Sequence, residues 1–433
     1  MLHSLKKILI SDLFKSISIY TFFRMLNRSL PVLLLPFLTH HLSPEDYSII
    51  DVFTNLSYIV LPLIGLNAYS AASRFYYEKE IDYKIYLSSI INFILISYII
   101  LSIMSFFIED FIFASLNINK INFFLFLVIT YSLFEQLFLI YTTNLRLEEK
   151  AVEYGITGFI RTSIELLLTI ILVLFIFSNW KGRIFAQFIG LLLVTFFSLY
   201  KLFKQSYISF KFLKQYLVDS LKFGLPLIIH TVSGILLGFS NRFFIIKYLG
   251  LHEAGIFASA YQIGLAISLL HTSFNEAWVP YLFKNLTNND CYKTRKKLVK
   301  ITYYYYIFLF LLTILFILFT PILYKIISRN FYISSINLIF IAFAFLFNGY
   351  YKMIVNYLFY EKKTYYVAIG TLIALFLNFA FNFFFITKYS LLGASIALFF
   401  TFFCHFIIFL LILNYNFKLP WLYFLDNLKN KKS

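Results

Sequence analysis

Charge is scarce in this chain. Asp, Glu, Lys and Arg make up 13% of its 433 residues, where a soluble domain carries about 25%. Cysteine is scarcer still. Cys291 and Cys404 are the two present, which excludes a disulfide framework and any cysteine-built metal cluster. The seven histidines form no HExxH or other ligand spacing, so no metal site is expected, and no GxxxxGK[ST] phosphate loop occurs. No cofactor is expected, and an ATP-driven pump would need a separate subunit. No small-residue cleavage site follows the first apolar stretch, so that stretch is read as a retained span, not a signal peptide.

What fills the chain instead is apolar. Hydrophobic residues reach 61% and the mean hydropathy is +0.81, the composition of an all-α polytopic membrane protein. Runs of about 20 apolar residues, the length a bilayer core demands, predict twelve transmembrane helices. Their expected limits are 15–39, 47–73, 85–108, 121–145, 154–178, 184–203, 222–246, 253–279, 301–324, 332–360, 364–387 and 389–414. Helices are the only open-chain solution in hydrocarbon, because unpaired backbone groups cost several kcal/mol each there.

Lysine and arginine set the expected orientation. With the N-terminus inside, inside segments carry about 25 of them, including "KTRKK" at 293–297. The outside loops hold Lys120, Lys181, Arg183, Lys247, Lys325, Arg329 and Lys388. Both termini are therefore expected on the cytoplasmic side of the membrane. The same scatter accounts for most of the +17 formal charge. Attraction to lipid headgroups suffices to explain it, and no aromatic-interleaved basic groove points to nucleic acid.

The longest inside connectors are about 204–221 and 284–300. The first is amphipathic and basic, as an interfacial helix would be, and divides the chain into lobes at 1–205 and 206–433. Shifting "HLSPEDYSII" (41–50) by 207 residues lands it on "YLGLHEAGIF" (248–257), the corresponding turn of the other half. Two six-helix lobes with a central cavity between them are a common transporter plan.

The polar residues left inside the spans are the candidates for function. In "YTFFRMLNRSLPVLLLPFLT" (20–39), Arg24, Asn27, Arg28 and Pro31 share one helix face at i, i+3, i+4 and i+7. Each arginine near a span's centre costs about 2.5–3.5 kcal/mol on insertion scales. Asp51 and Asn55 share a face of the second helix, and Asn348, Lys352 and Asn356 form a stripe on the tenth. Asn378 and Asn382 pair on the eleventh, and Arg161 and Glu165 stand one turn apart on the fifth. Glu135, Arg242 and Glu276 complete the embedded charges, the last two near span ends where they could snorkel. Two roles are open to all of these: interhelical bonds that fix packing, or the lining of a pathway. For Asn378, Asn382, His230 and His405 packing is the simpler reading, and for Arg161 with Glu165 an internal pair. Arg24 and Arg28 need either Asp51 and Glu135 as partners or an anionic ligand. A face presented to an anionic ligand is preferred, with Asn27, Arg242 and Lys352 beside it. Asp51, Asn55, Glu135, Arg161, Glu165 and Asn348 are then polar-cavity or ion-coupling candidates. Pro31 and Pro36 bend the first helix and could serve as a hinge.

The run from "LKFGLP" at 221 through "NRFFIIKYLG", "AGIFASAYQIG" and "AWVPYLF" to 286 resembles the seventh and eighth helices of polysaccharide flippases. These are members of the multidrug/oligosaccharidyl-lipid/polysaccharide exporter superfamily and include the O-antigen and capsule repeat-unit flippases. "SRFYYEKE" at 73–80 also looks like the family, as do the length and the twelve spans. An aspartate usually precedes the arginine of the seventh helix; here it is Asn241, which removes that acid as an ion-coupling group. The resemblance implies two lobes around a cationic cavity. An undecaprenyl-diphosphate-linked oligosaccharide would enter from the inner leaflet and leave in the outer. It also implies membrane lipids as partners, a proton or sodium ion for coupling, and the polysaccharide polymerase machinery as a neighbour. Arg24 and Arg28 would be the diphosphate's counter-ions, since a guanidinium fork binds two phosphate oxygens.

Three alternatives fit less well. A cation-coupled drug exporter would want an acid-rich cavity. A repeat-unit polymerase or acyltransferase would want a large outside loop or clustered acid–base groups at one interface, and the sequence has neither. Scaffolding without transport explains no embedded charge. The topology is tested by alkaline phosphatase fusions. Activity is expected after residues near 43, 116, 181, 250, 329 and 388 and none after 80, 212, 292 and 362; activity at 212 or 292 would overturn the six-plus-six layout.

Overall fold

The computed structural model describes residues 12–76, 81–116, 119–208, 212–288, 291–417 and 419–421. Its elements are helical, with no strand among the described residues. In chain order they are α1 (Asp12–His41), α2 (Pro44–Val60), a 3-10 segment (Ile64–Ala71) running into the short turn Ala72–Phe75, and α3 (Tyr83–Ser115). Then come α4 (Phe124–Leu147), α5 (Ala151–Phe175), α6 (Trp180–Lys204) and α7 (Lys214–Leu249). The chain closes with α8 (Leu251–Asn288), α9 (Tyr292–Ile326), α10 (Ser335–Tyr360) and α11 (Thr364–Asn416). Nine described helices are long and apolar enough to cross a membrane, ten if the bent pair α2 and 64–71 counts as one span. The protein is thus an all-α, multi-pass membrane protein. α11 joins the last two expected spans through a break at Ser390, φ 52°.

Packing divides the chain into two units. Unit 1 comprises Met1–Ser259 with Ile327–Phe331, and unit 2 the remainder. By packing, α7 therefore groups with unit 1. The expected amphipathic connector is partly absorbed into that helix, since 214–221 are its first turns. There Ser220 and Leu217 are buried, Leu213 N donates to Ser89 Oγ at 3.0 Å, and Asp82 N donates to the Tyr216 hydroxyl at 3.3 Å. Residues 209–211 of the connector and 77–80 of "SRFYYEKE" lie outside the described residues.

Unit 1 is built around α3 and α4. Tyr86, Leu87, Ile90 and Ile94 of α3 share one core with Leu133, Leu137 and Tyr141 of α4 and with Ile64, Ala68 and Ala71 of the bent segment. The second span, expected as one straight helix over 47–73, is broken. Pro62 has no N–H to continue the ladder, and Gly65, Leu66 and Asn67 follow with φ of 75°, 48° and 54°. The two pieces bend by 57°. Left-handed backbone costs a non-glycine residue about 1–2 kcal/mol, and neighbours hold it in place. Ser97 Oγ accepts from Gly65 N at 3.3 Å. Gly224 of α7 packs so closely that a Cβ there would lie 2.6 Å from the Asn67 carbonyl oxygen.

One carboxylate organises the opposite end of α2. Ser43 caps the helix with Pro44 in its first turn, and Ser43 Oγ accepts from Asp46 N at 3.1 Å. Asp46 Oδ1 also accepts from Trp180 N at 3.0 Å, tying down the first turn of α6. The start of α8 lies against this turn, where a Cβ on Gly255 would overlap the Pro44 carbonyl oxygen.

Unit 2 is held by α10 and the two halves of α11. Asn337 Oδ1 accepts from Ser395 Oγ at 2.8 Å, Asn378 Nδ2 donates to Thr401 Oγ1 at 3.0 Å, and Asn382 Nδ2 donates to Asn378 Oδ1 at 3.1 Å. These are the bonds expected of Asn378 and Asn382 as packing residues.

The Gly255 contact yields a test. Gly255→Val should lower the unfolding midpoint of the detergent-solubilised protein by several degrees, because backbone rather than a flexible side chain opposes the new atoms. An unchanged midpoint would show that the α2 and α8 turns are not packed this way.

Candidate functional site

The side of α1 that carries Phe23 and Asn27 runs along α5. Phe23 fills the space over Gly155, and Asn27 Nδ2 lies 2.6 Å from where a Gly158 Cβ would stand. Both positions advance together, so α1 and α5 run parallel along this seam. Asn27 Oδ1 is buried and has no hydrogen-bond partner among the described residues. Arg24 and Arg28 lie on α1, between and beside these contacts; their side chains lie outside the described residues, as does that of His230.

Asp51, Glu135 and Glu165 of unit 1 are engaged by other arginines. Asp51 Oδ2 accepts from Arg242 Nε at 3.0 Å and from Asn55 Nδ2 at 2.9 Å. Arg242 is 2% exposed, donates further to the Gly238 carbonyl at 3.0 Å, and sits 5.4 Å from the ring centres of both Phe239 and Phe257. It does not snorkel to an interface; its charge is answered inside the unit.

Arg161 has a different setting. Its NH1 and NH2 reach Glu135 at 2.9 and 2.6 Å, its Nε reaches Glu165 at 2.9 Å, and NH2 donates to the Tyr131 hydroxyl at 3.2 Å. The Phe138 ring centre lies 5.0 Å away. The side chains of Arg161, Glu135 and Glu165 remain 13–16% exposed, so this cluster is less sealed than Arg242.

Arg183, expected in an outside loop, belongs among the embedded charges. Helix α6 starts earlier than its apolar run, because Asn179 caps it by accepting from Lys181 N. Arg183 therefore falls on the first turn, buried, with NH1 donating to Thr169 Oγ1 at 2.7 Å. The cap residue is the signal that could have found it.

In unit 2 the polar group lies between α8 and α10. Lys352 Nζ donates to Thr272 Oγ1 at 2.8 Å, and Asn356 Nδ2 donates to Asn275 Oδ1 and to the Lys352 carbonyl, both at 2.7 Å. His271 is buried on α8, with neither ring nitrogen hydrogen-bonded among the described residues. Asn348 is half-buried one turn before Lys352, and Glu276 is half-buried on α8. Outside the spans, Glu45 Oε1 meets His252 Nδ1 at 2.8 Å. Burial pulls the Glu45 carboxyl up, but its own backbone amide and His252 pull it further down, leaving it below its ordinary value. Among the described residues no group of three His, Cys, Asp or Glu converges as a metal site would require.

The chain shares sequence and fold with known proteins. The profile of a family described as polysaccharide biosynthesis protein matches residues 13–286, more than half of the chain. An Lsg locus putative protein of Haemophilus influenzae is 26% identical over 363 residues, 81% of this chain and 85% of that protein. Among solved structures, the lipid II flippase MurJ in an inward closed conformation superposes with a TM-score of 0.71 at 19% identity, covering 91% of this chain and 87% of that one. An inward-facing multidrug resistance MATE family transporter of the MOP superfamily gives 0.60 at 17% identity, covering 90% and 93%. At these identities the two structures show the fold.

The Asp51–Arg242 pair makes a prediction about stability. Arg242→Met strands a buried carboxylate and should cost about 3–5 kcal/mol, read as a lower unfolding midpoint and lower abundance in membranes. Adding Asp51→Asn should recover most of the loss. Equal loss in single and double variants would mean that Arg242 acts through its packing on Phe239 and Phe257.

Proposed function

This chain belongs to the polysaccharide biosynthesis protein family, and from that premise we propose that it is a flippase for a polyprenyl-diphosphate-linked oligosaccharide. In this reading it carries repeat units of a surface polysaccharide, O-antigen or capsule, across the bacterial inner membrane. Twelve crossings form two six-helix lobes, 1–205 and 206–433, with both termini cytoplasmic. Alternating access of these lobes moves the charged head while the lipid tail stays in hydrocarbon.

One observation carries the choice of substrate. Asp51 and Glu135, the acids that could have answered the α1 cations, are held by Arg242 and Arg161. An anionic substrate then supplies the charge that Arg24 and Arg28 require. A diphosphate suits them because each guanidinium can donate to two oxygens at once. Asn27 adds an amide at the same seam; within unit 2, Lys352, with Asn348 one turn before it, is a further proposed substrate-binding cation. The rival reading, a drug exporter for organic cations, wants accessible acids, and Asp51, Glu135 and Glu165 have arginine partners.

The test is made in cells. Deleting the gene should leave lipid-linked repeat units on the cytoplasmic leaflet while glycosyltransferase activity persists. Arg28→Ala should fail to restore export at normal protein abundance, and Arg28→Lys should restore it in part, keeping charge without the fork. If Arg28→Ala instead lowers abundance, and removing Asp51 or Glu135 as well restores both level and export, these arginines are packing residues and the reading falls.

A further inference from the structure

The cluster on α5 contains a carboxylate bonded to one guanidinium and one turn from the threonine that engages a second. Glu135 takes two nitrogens of Arg161, whereas Glu165 takes one, Nε at 2.9 Å. One turn further along α5, Thr169 Oγ1 accepts from Arg183 at 2.7 Å. That is the one side-chain hydrogen bond of Arg183 among the described residues, although a guanidinium offers five N–H donors. Arg183 is only 7% exposed, and Glu165 lies within its electrostatic reach. On the α6 side Glu165 packs directly on Gly190, where a Cβ would stand 2.7 Å from its Cγ, so only a glycine there lets α6 approach this carboxylate. One turn from Arg183, the Gln187 Oε1 atom is buried with no hydrogen-bond partner among the described residues.

We propose that Arg161 is a third anion-binding residue, and that Glu165 is its displaceable counter-ion, passing to Arg183 when an anion takes its place. The proposal rests on the diphosphate reading above and extends it by one step. Of the two carboxylates on Arg161, Glu165, which meets one guanidinium nitrogen, yields, and Glu135, which has two nitrogens within ion-pair distance, stays. A displaced carboxylate left alone at this depth would be strongly disfavoured; the spare donors of Arg183 receive it instead. Position also fits. Arg161 lies three residues beyond the Gly158 contact with Asn27, about 4.5 Å further along the α1–α5 seam. An anion held at the level of Arg28 therefore finds Arg161 next on its way. The partial exposure of Arg161, Glu135 and Glu165 gives it access that the sealed Arg242 lacks.

The experiment uses the full chain in detergent with inorganic pyrophosphate as probe, measured by titration calorimetry with unfolding midpoints recorded alongside. Glu165→Gln removes the competitor and should bind about tenfold tighter; Arg183→Gln removes the receiver and should bind about tenfold weaker. Arg183→Lys, which keeps the charge, should bind nearly as the parent does. The double variant Glu165→Gln with Arg183→Gln decides the matter. With no carboxylate to rehouse, it should bind as tightly as Glu165→Gln alone. A purely long-range effect of charge would place it midway, and a structural cluster would weaken binding in both single variants as their midpoints fall; either result overturns the exchange. If pyrophosphate binds, depends on Arg28 and is indifferent to Glu165 and Arg183, this inference fails and the diphosphate reading stands. If the parent protein binds no pyrophosphate, both fail.

Discussion

A charge inside hydrocarbon must be answered by another, and that constraint orders the interior of unit 1. Asp51, Glu135 and Glu165 would each be too costly alone, as would Arg161 and Arg242. The structure resolves them into three arginine–carboxylate pairs and a buried arginine on a threonine. These contacts join α2 to α7, α4 to α5, and α5 to α6. Without a hydrophobic driving force between helices in lipid, such polar contacts specify which helix faces which.

The bent second span and the outer turn obey the same logic applied to the backbone. Breaking a helix frees carbonyl and amide groups, so the break at 65–67 occurs where Ser97 and the close approach of Gly224 can cover it. At the other end of α2, Glu45 meets His252, and these two positions differ by 207 residues. That is the offset at which the turn of the first half falls on that of the second.

Apolar run length makes most helices legible, since a bilayer fixes how long a span must be. The break at Ser390 falls within two residues of the expected division between 387 and 389. Hydropathy is blind where conformation changes without a change in polarity. "LPLIGLN" (61–67) is apolar almost throughout, so its Pro62 and Gly65 pass for ordinary membrane residues rather than a break. Arg183 escapes because an apolar window begins after it, while the helix begins before it at the Asn179 cap. Local spacing reveals the Arg161–Glu165 pair, one turn apart. It cannot reveal that Glu135, 26 residues away, belongs to Arg161, nor that Asp51 belongs to Arg242, because those partnerships exist only once helices pack.

A carrier of anions faces a requirement that a static protein does not. Its cations must be neutralised while the chain inserts and folds, before any substrate is present, and must become available when one arrives. Sealed pairs such as Asp51–Arg242 satisfy the first need and defeat the second. Cations with no internal partner satisfy the second and burden the first, at about 2.5–3.5 kcal/mol each near a span's centre. A singly bonded, partly exposed carboxylate meets both: it neutralises an arginine at rest and is the weakest contact of its cluster. In the proposed exchange Glu165 of unit 1 holds that position, bonded to Arg161 and one turn from the Thr169 that Arg183 engages.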